Sequence, residues 1–542
     1  MRPTHLWLGV TLVAAGCSTA WYAQDADREV NALLRERTQD VLGDRESHLL
    51  RPEPAPETAP AAAPEPPAEG APPEAAQAPP AEEPPRPIGL TEALATVFEF
   101  NREYLTRKES LYQQGLGLTL TRYNYGPLFA AAVSYLWADT EDGPRSNTIS
   151  GTLSGSQILP TGGSLSLDSG VSTTREQGLD LDGFGDAGGG RSYGSSVGLN
   201  LSQPLLRGGG YEVSHEALTQ AERSLVYAIR DFELYREDLT ISVARQFFAL
   251  VSQKQVLANQ EENYDAAVFD RQKAESFFDL GRNTQEEVFR ARRREVDAED
   301  SVIDGRAQYD RALDEFKILL GLPIEARIEI VHEEPPFEAV RIDGESAITV
   351  ALHNRLDVIT EREQLEDVER SVRLAENSLL PDLDLALGYD FAGADDTFKG
   401  AAPDVWAASA GLSLTLPLQR KAERNSYRSS LIALEQARRN HVLFIDRIGL
   451  DIRDQLRQLE SIEKRIGLQE EQIKQEERAV EVTRLRYESG DLDNRDLLEA
   501  RQGLTDAMNS LINLKVDHFI ARLTLLRDLG LLFVDDKGMW RS

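Results

Sequence analysis

A single cysteine, Cys17, stands among 542 residues, so the chain can form neither a disulfide framework nor a thiolate metal site. The seven histidines are scattered without paired ligand spacing, and no Ser/His/Asp motif sets a nucleophile beside a base. Gly208-Gly209-Gly210 lacks the following Lys-Ser/Thr of a phosphate loop. Asp180, Asp182 and Asp186 supply carboxylates for calcium, but their spacing lacks a full loop ligand set, and they read as part of a solvated external loop. With 91 acidic against 59 basic side chains the net charge is −32, the wrong sign for neutralising phosphates. The chain is therefore expected to be neither an enzyme nor a nucleic-acid binder, with no metal and no cofactor.

The thiol has a different use. Arg2 supplies positive charge, residues 6–15 are apolar, and Ala14-Ala15-Gly16 places small residues directly before Cys17. This resembles a bacterial lipoprotein box, which implies that 1–16 are a signal peptide and that Cys17 becomes a lipid-modified N-terminus. Ser18 is not the aspartate that signals inner-membrane retention. The alternative is an ordinary signal peptide with Cys17 incidental. Residues 17–50 form the expected lipid-anchored N-terminal segment. Residues 51–87 are mostly Pro, Ala and Glu, a composition that buries no core. As an extended linker at ~3.1 Å per residue they would span on the order of 100 Å.

Beyond the linker two periodicities alternate. Residues 89–125 read as helix, 127–206 as short alternating strands, 211–280 as helix again, and a break at Gly281 leads into a helix ending near Leu320. The second half keeps this order: helix over 346–379, strands over 381–418, a long helix over 422–489, a break at Gly490 and a final helix to Leu529. Residues 278–322 also lie on 487–531 without a gap: Phe278 on Tyr487, Gly281 on Gly490, Val288 on Leu497, Leu320-Gly321-Leu322 on Leu529-Gly530-Leu531. Two internal repeats are expected, 88–322 and 346–531, with 323–345 as a belt between them and 532–542 as a tail.

Ile445, Ile448, Ile452, Gln455, Leu459, Ile462, Ile466, Gln469, Ile473 and Val480 recur at three- and four-residue spacing with one gap at Glu476, the seam of a coiled coil that needs partner helices. Each long helix of about 70 residues would run ~100 Å and each flanking helix ~50 to 60 Å, so each half reads as a long helix beside two short ones. Strand segments are expected near 129–137, 148–153, 164–173, 192–201, 383–389 and 406–416. No stretch after the signal peptide is long and apolar enough for a transmembrane helix, so a membrane crossing would have to be made by a closed sheet shared among copies.

Leu201-Ser202-Gln203-Pro204-Leu205 and Leu414-Thr415-Leu416-Pro417-Leu418 mark the strand-to-helix junctions, and Leu380-Pro381 the opposite one. The Gly281 and Gly490 turns are followed by Ala291 and Ala500. On these residues the chain resembles the TolC-like outer membrane efflux proteins over about 88–531. The resemblance implies a mixed α/β membrane protein: long α-helices in a coiled-coil tunnel across the periplasm, and antiparallel strands in a trimeric transmembrane β-barrel. It implies a homotrimer in the outer membrane, lipid-anchored and extending into the periplasm, in contact with outer membrane lipids. Its partners would be a periplasmic adaptor and an inner-membrane pump or transporter, for which it is the passive exit duct in efflux or type I secretion. The alternative is a lipid-anchored periplasmic coiled-coil scaffold.

By the same resemblance Gly281, Arg282, Asn283, Thr284, Gly490, Asp491, Leu492 and Asp493 form the turn tips where the adaptor docks. Asp496 and Glu499, one helical turn apart and so on one face, would make two acidic rings at the tunnel mouth and favour cations. Tyr487 matches a family tyrosine that latches the closed state, with Glu286 and Glu287 at or beside its acidic partner. The family's arginine is replaced by Leu492, with Arg495 as the available substitute. One departure stands out: the strand region 127–204 is about twice as long as 381–417. The family's two strands per half leave an additional hairpin, which either widens the barrel or stands above it.

Overall fold

The computed structural model describes residues 19–43, 85–139, 145–177, 190–282, 284–489, 491–492, 494–535 and 537–541. Cys17, Asn283, Gly490 and Asp493 lie outside the described residues, as do linker residues 51–84 and Asp180, Asp182 and Asp186; the side chain of Tyr487 is likewise outside the description. In chain order the elements are α1 (Thr19–Leu42), β1 (Arg86–Ile88), α2 (Leu90–Phe100), α3 (Arg102–Tyr125), β2 (Leu128–Ala138), β3 (Arg145–Ile158), β4 (Ser164–Gln177), β5 (Arg191–Pro204), α4 (Tyr211–Ser214), α5 (Glu216–Asp279), α6 (Gln285–Leu320), β6 (Ile328–Ile330), α7 (Gly344–Asn354), α8 (Leu356–Asn377), β7 (Asp382–Asp395), β8 (Val405–Thr415), α9 (Lys421–Glu488), α10 (Asn494–Asp528), β9 (Phe533–Val534) and β10 (Trp540–Arg541). The chain divides into two compact units, one of Met1–Thr38, Leu111–Ala228 and Thr360–Val442, the other of Gln39–Ser110, Ile229–Ile359 and Leu443–Ser542.

The first unit contains a six-stranded sheet, ordered β2-β3-β4-β5-β7-β8 and antiparallel throughout. All six expected strand segments are present, each longer at one or both ends than its alternation suggested, except that β8 stops one residue earlier. The same unit holds most of α1, a helix within the segment 17–50 where sequence reading found only a lipid anchor. In α1, Val30, Leu33 and Leu34 are buried at the spacing of one helix face. A Cβ on Gly115 of α3 would come within 2.8 Å of Val30 Cγ1, so the glycine is what lets the two backbones approach. Arg37 and Arg122 both reach Glu222 of α5, at 3.3 and 2.7 Å.

In the second unit the seam of α9 is buried where the periodicity placed it. Ile448, Ile452, Leu459, Ile462 and Ile466 form one core with Ala347, Ala351 and Val358 of the α7–α8 pair and Leu514, Ala521 and Leu525 of α10. The belt forms no domain of its own in this unit: β6 pairs in parallel with β1, Arg86 opposite Ile328 and Ile88 opposite Ile330. The last linker residues are thus part of a sheet. The tail is held as well. Arg236, 2% exposed, pairs with Glu233 at 2.8 Å and donates to the carbonyls of Val534 and Asp535 at 3.3 and 2.8 Å.

Two helices expected as single elements are broken, at Asn101 and at Arg355, where the backbone is extended. The cause is the helix end that docks against each break. A helix C-terminus leaves its last carbonyls without intrahelical partners. α6 closes at Gly321 (φ 77), with Leu322 N donating to the Lys317 carbonyl at 2.9 Å, a Schellman closure. Asn101 Nδ2 then donates to the Leu319 carbonyl, while Asn101 Oδ1 accepts from Tyr104 N, both at 2.7 Å. One side chain therefore ends α6 and starts α3. In the other half, α10 closes at Gly530 (φ 66), and Arg355 donates to the Asp528 carbonyl at 3.3 Å and to Asp357 at 2.7 Å.

A Cβ on Gly321 would overlap the Phe100 carbonyl oxygen, and the residue's positive φ disfavours any side chain. Gly321→Ala is expected to cost about 2–5 kcal/mol. Gly467→Ala, on α9 where nothing lies within 4 Å, should be neutral or slightly stabilising. Thermal unfolding of the two variants in detergent checks this, and equal midpoints would contradict the junction account.

Candidate functional site

The first turn is held by backbone chemistry. After α5, Gly281 takes φ 67; its N–H donates to the Phe278 carbonyl and that of Arg282 to the Phe277 carbonyl, both at 2.8 Å. Thr284 opens α6 as its N-cap, accepting from Glu287 N at 3.4 Å, while Glu287 Oε2 accepts from Thr284 N at 2.8 Å. This is a capping box. Glu287 thus has a structural partner in its own helix, and Glu286 pairs with Arg290 one turn on. Arg282, Glu286 and Glu287 remain exposed.

At the second turn Asp491 N donates to the Arg486 carbonyl at 2.9 Å, and Ser489 Oγ donates to Asp491 Oδ2 at 3.2 Å. Asp491 is exposed and Leu492 half-buried. Asp496 is half-buried and Glu499 exposed, both in the opening turns of α10, and Arg495 is exposed. Among the described residues no ion pair joins Asp496 or Glu499 to Glu286, Glu287 or Arg495. Beneath both turns the aligned pair Val288 and Leu497 are each 7% exposed, so each return helix buries the same repeat position.

Sequence reading missed the charged clasp that binds α5 to α6. Arg271 reaches Glu275 at 2.8 Å and Glu295 at 2.5 Å, and Arg292 reaches Glu275 at 2.8 Å. Arg292 lies inside the repeated Ala-Arg pair, the one signal that pointed to it. The hydrogen bond from Arg292, against the opposing effect of burial and with the Arg271 charge beside it, holds the Glu275 carboxyl below its ordinary value.

The sheet presents the other candidate surface. Cross-strand partners share a face. One face carries the row Ala131, Leu153, Ser169, Val197, Phe391, Trp406 and, two residues away, the row Phe129, Gly155, Leu167, Leu199, Tyr389, Ala408. The opposite face carries Ser134, Ser150, Ser172, Gly194 and Ala394, then Ser154, Asp168, Gly198, Asp390 and Ala407. The apolar face is uncovered: Phe129, Leu153, Leu167, Leu199, Tyr389 and Trp406 are all exposed. Every residue of edge strand β8 is exposed. Among the described residues no helix is long and apolar enough to cross a membrane.

Residues 347–531 match the family model "Outer membrane efflux protein". The chain is 25% identical over 349 residues to the alkaline protease secretion protein AprF of Pseudomonas aeruginosa, covering 61% of this chain and 69% of that one. It is 24% identical over 243 residues to the pyoverdine export outer membrane protein OpmQ of the same organism, covering 43% of this chain and about half, 48%, of OpmQ. Its fold is that of the Campylobacter jejuni CmeC outer membrane channel (TM-score 0.60, 17% identity, 81% of this chain and 85% of that one). The Vibrio cholerae outer membrane protein VceC is similar as well (TM-score 0.59, 15% identity, 81% and 96%).

A carboxylate with a lowered pKa stabilises the fold above its unfolded value, and that contribution is lost as pH falls through the lowered one. Acidification from about pH 6 to about pH 3 should therefore lower the protection factors of the amides around residues 271–295, each rate being taken relative to its intrinsic exchange at that pH. Glu275→Gln should show fast exchange there already at the higher pH. A Glu275→Gln protein exchanging like the parent at about pH 6 would remove the clasp.

Proposed function

Because this chain belongs to the TolC-like outer membrane efflux protein family, we propose that it is the passive exit duct of a tripartite export system, built as a homotrimer around one barrel. It is a channel protein, not an enzyme. The observation that carries this reading is the amphipathic sheet with two bare edges. Its strands are 11 to 14 residues long, enough to cross a bilayer, which takes about 9–11 tilted residues. Its apolar face suits hydrocarbon and its Ser/Thr/Gly face suits water. The edges β2 and β8 each leave a row of backbone groups unpaired, and in hydrocarbon every such group costs several kcal/mol. Pairing β8 of one copy with β2 of the next is a head-to-tail contact that satisfies both edges and closes on itself. Three copies follow from the family resemblance.

The family assigns the two turns to an adaptor, and the structure of each turn suits that use. The first turn is fixed by Gly281 and the Thr284–Glu287 capping box, and the second carries the Asp491 N–H bond to the Arg486 carbonyl; Arg282 and Asp491 are exposed toward a partner. Asp496 and Glu499 would stand as acidic rings near the mouth. Cys17 is the proposed lipid anchor; no fatty-acid incorporation in cells would remove that assignment. Cargo is selected chiefly by the inner-membrane partner.

Electron microscopy of the detergent-purified full chain should show threefold tubes with one detergent-belted end; belt-free rods would replace the duct by a periplasmic scaffold. In trimers that still assemble, Gly281→Val with Gly490→Val should impair export, since a branched side chain is excluded at the positive φ of Gly281 and Gly490 is its counterpart in the repeat. Asp496→Asn with Glu499→Gln should lower cation selectivity in planar bilayers. Normal export or unchanged selectivity would remove the corresponding role.

A further inference from the structure

Resting on the closed-barrel reading, we propose that the additional hairpin β3–β4 is part of the membrane wall, with bilayer hydrocarbon against its apolar face, so that three chains enclose an unusually wide barrel. Two observations exclude a hairpin standing above the bilayer. The first is its place in the sheet. β3 pairs with β2 along all of Leu128–Ala138, and β4 pairs with β5 from Ser164 opposite Ser202 to Arg175 opposite Arg191. The hairpin therefore runs level with its neighbours from one end of the strands to the other.

The second is where its turn is fixed. The turn at residues 159–163 is bound to the chain that leaves β5 toward the helices. Gly210 N donates to the Thr161 carbonyl at 2.9 Å, Gln203 Nε2 donates to the same carbonyl at 3.0 Å, and Ser214 Oγ donates to the Pro160 carbonyl at 3.3 Å. Gly162 has φ 90 and no room for a Cβ against the Gly208 carbonyl. The triple glycine that lacked a phosphate-loop lysine is thus the socket of this turn. It fixes the hairpin at the helical end of the sheet, opposite the C-terminal ends of β2, β4 and β7.

The faces agree. Leu153 and Val171 of the hairpin are 54% and 53% exposed and lie on the apolar face that β2, β5, β7 and β8 share, while Ser154 and Ser172 lie on the polar one. Water on both sides would give no reason for this alternation; lipid on one side requires it. Without the hairpin each chain would give four strands, the number that the resemblance implies. With it each chain gives six, and a trimer eighteen. Barrel diameter grows roughly linearly with strand number, so the diameter is about 1.5 times and the cross-section more than twice that of the smaller barrel. Short Ser, Thr and Gly side chains on the polar face leave that lumen open to bulky hydrated cargo, such as a partly folded polypeptide.

The test places single cysteines in the full chain within outer membranes and treats them with a membrane-impermeant, water-soluble maleimide, taking the unsubstituted chain as baseline. Leu199→Cys and Asn200→Cys report β5, and Val171→Cys and Ser172→Cys report the hairpin. Expected is labelling at least tenfold faster at 172 than at 171, with the same contrast between 200 and 199. Fast labelling at both 171 and 172 with 199 still protected would overturn the wall hairpin and leave the duct intact. Fast labelling at 199 as well would overturn the barrel reading itself. A strand count in the imaged trimer decides independently: eighteen supports the proposal, and twelve with the hairpin clear of the wall refutes it.

Discussion

A backbone amide or carbonyl removed from water must find another partner, and in this chain that requirement acts most strongly at the open edges of the sheet. β2 and β8 are exposed on both faces along nearly their whole length, with rows of main-chain groups at the outer edge. Proteins in water blunt such edges with charge, proline or bulges. Here the edge strands are apolar on the face that they share with the rest of the sheet and carry no Lys, Arg, Asp or Glu. That pattern fits an edge meant to be paired.

The same rule acts inside the second unit at the ends of α6 and α10. Each helix terminates in a left-handed glycine and delivers its spare carbonyls to a side chain sitting at a break between two other helices. Asn101 and Arg355 differ in chemistry and do the same work. Breaking α2 from α3, and α7 from α8, leaves backbone groups of its own to satisfy, and Asn101 offsets part of this by capping the helix that follows it.

The helical turns show how one residue can hold structure and be available for function. Glu287 reads from sequence as a candidate latch residue, and in this chain its carboxylate is engaged in a capping box. Glu286 is engaged with Arg290. The clasp of Arg271, Glu275, Arg292 and Glu295 instead binds the two arms of the first hairpin. It escaped sequence reading because its members are spread over two helices and look like ordinary surface charges; only a helix reversal at Gly281 brings Arg271 to Glu295 and Arg292 to Glu275.

Periodicity alone determined much of this protein: the helices and strands between residues 89 and 529, the seam of α9 and the turn at Gly281. These are local properties, set by side-chain spacing along one element. The breaks at Asn101 and Arg355 were not legible, since neither residue is a proline or glycine and the helical pattern runs through both; the donors exist only because another helix end arrives there. Nor did sequence reveal α1 as a packed helix, because Val30, Leu33 and Leu34 make too short an apolar face without Gly115 to receive it. The additional hairpin divides most clearly. Alternation predicted its strands, but whether they join the sheet or leave it depends on hydrogen bonds to β2 and β5 and on a turn seated at Gly208 and Gly210, distant partners that only the tertiary structure brings together.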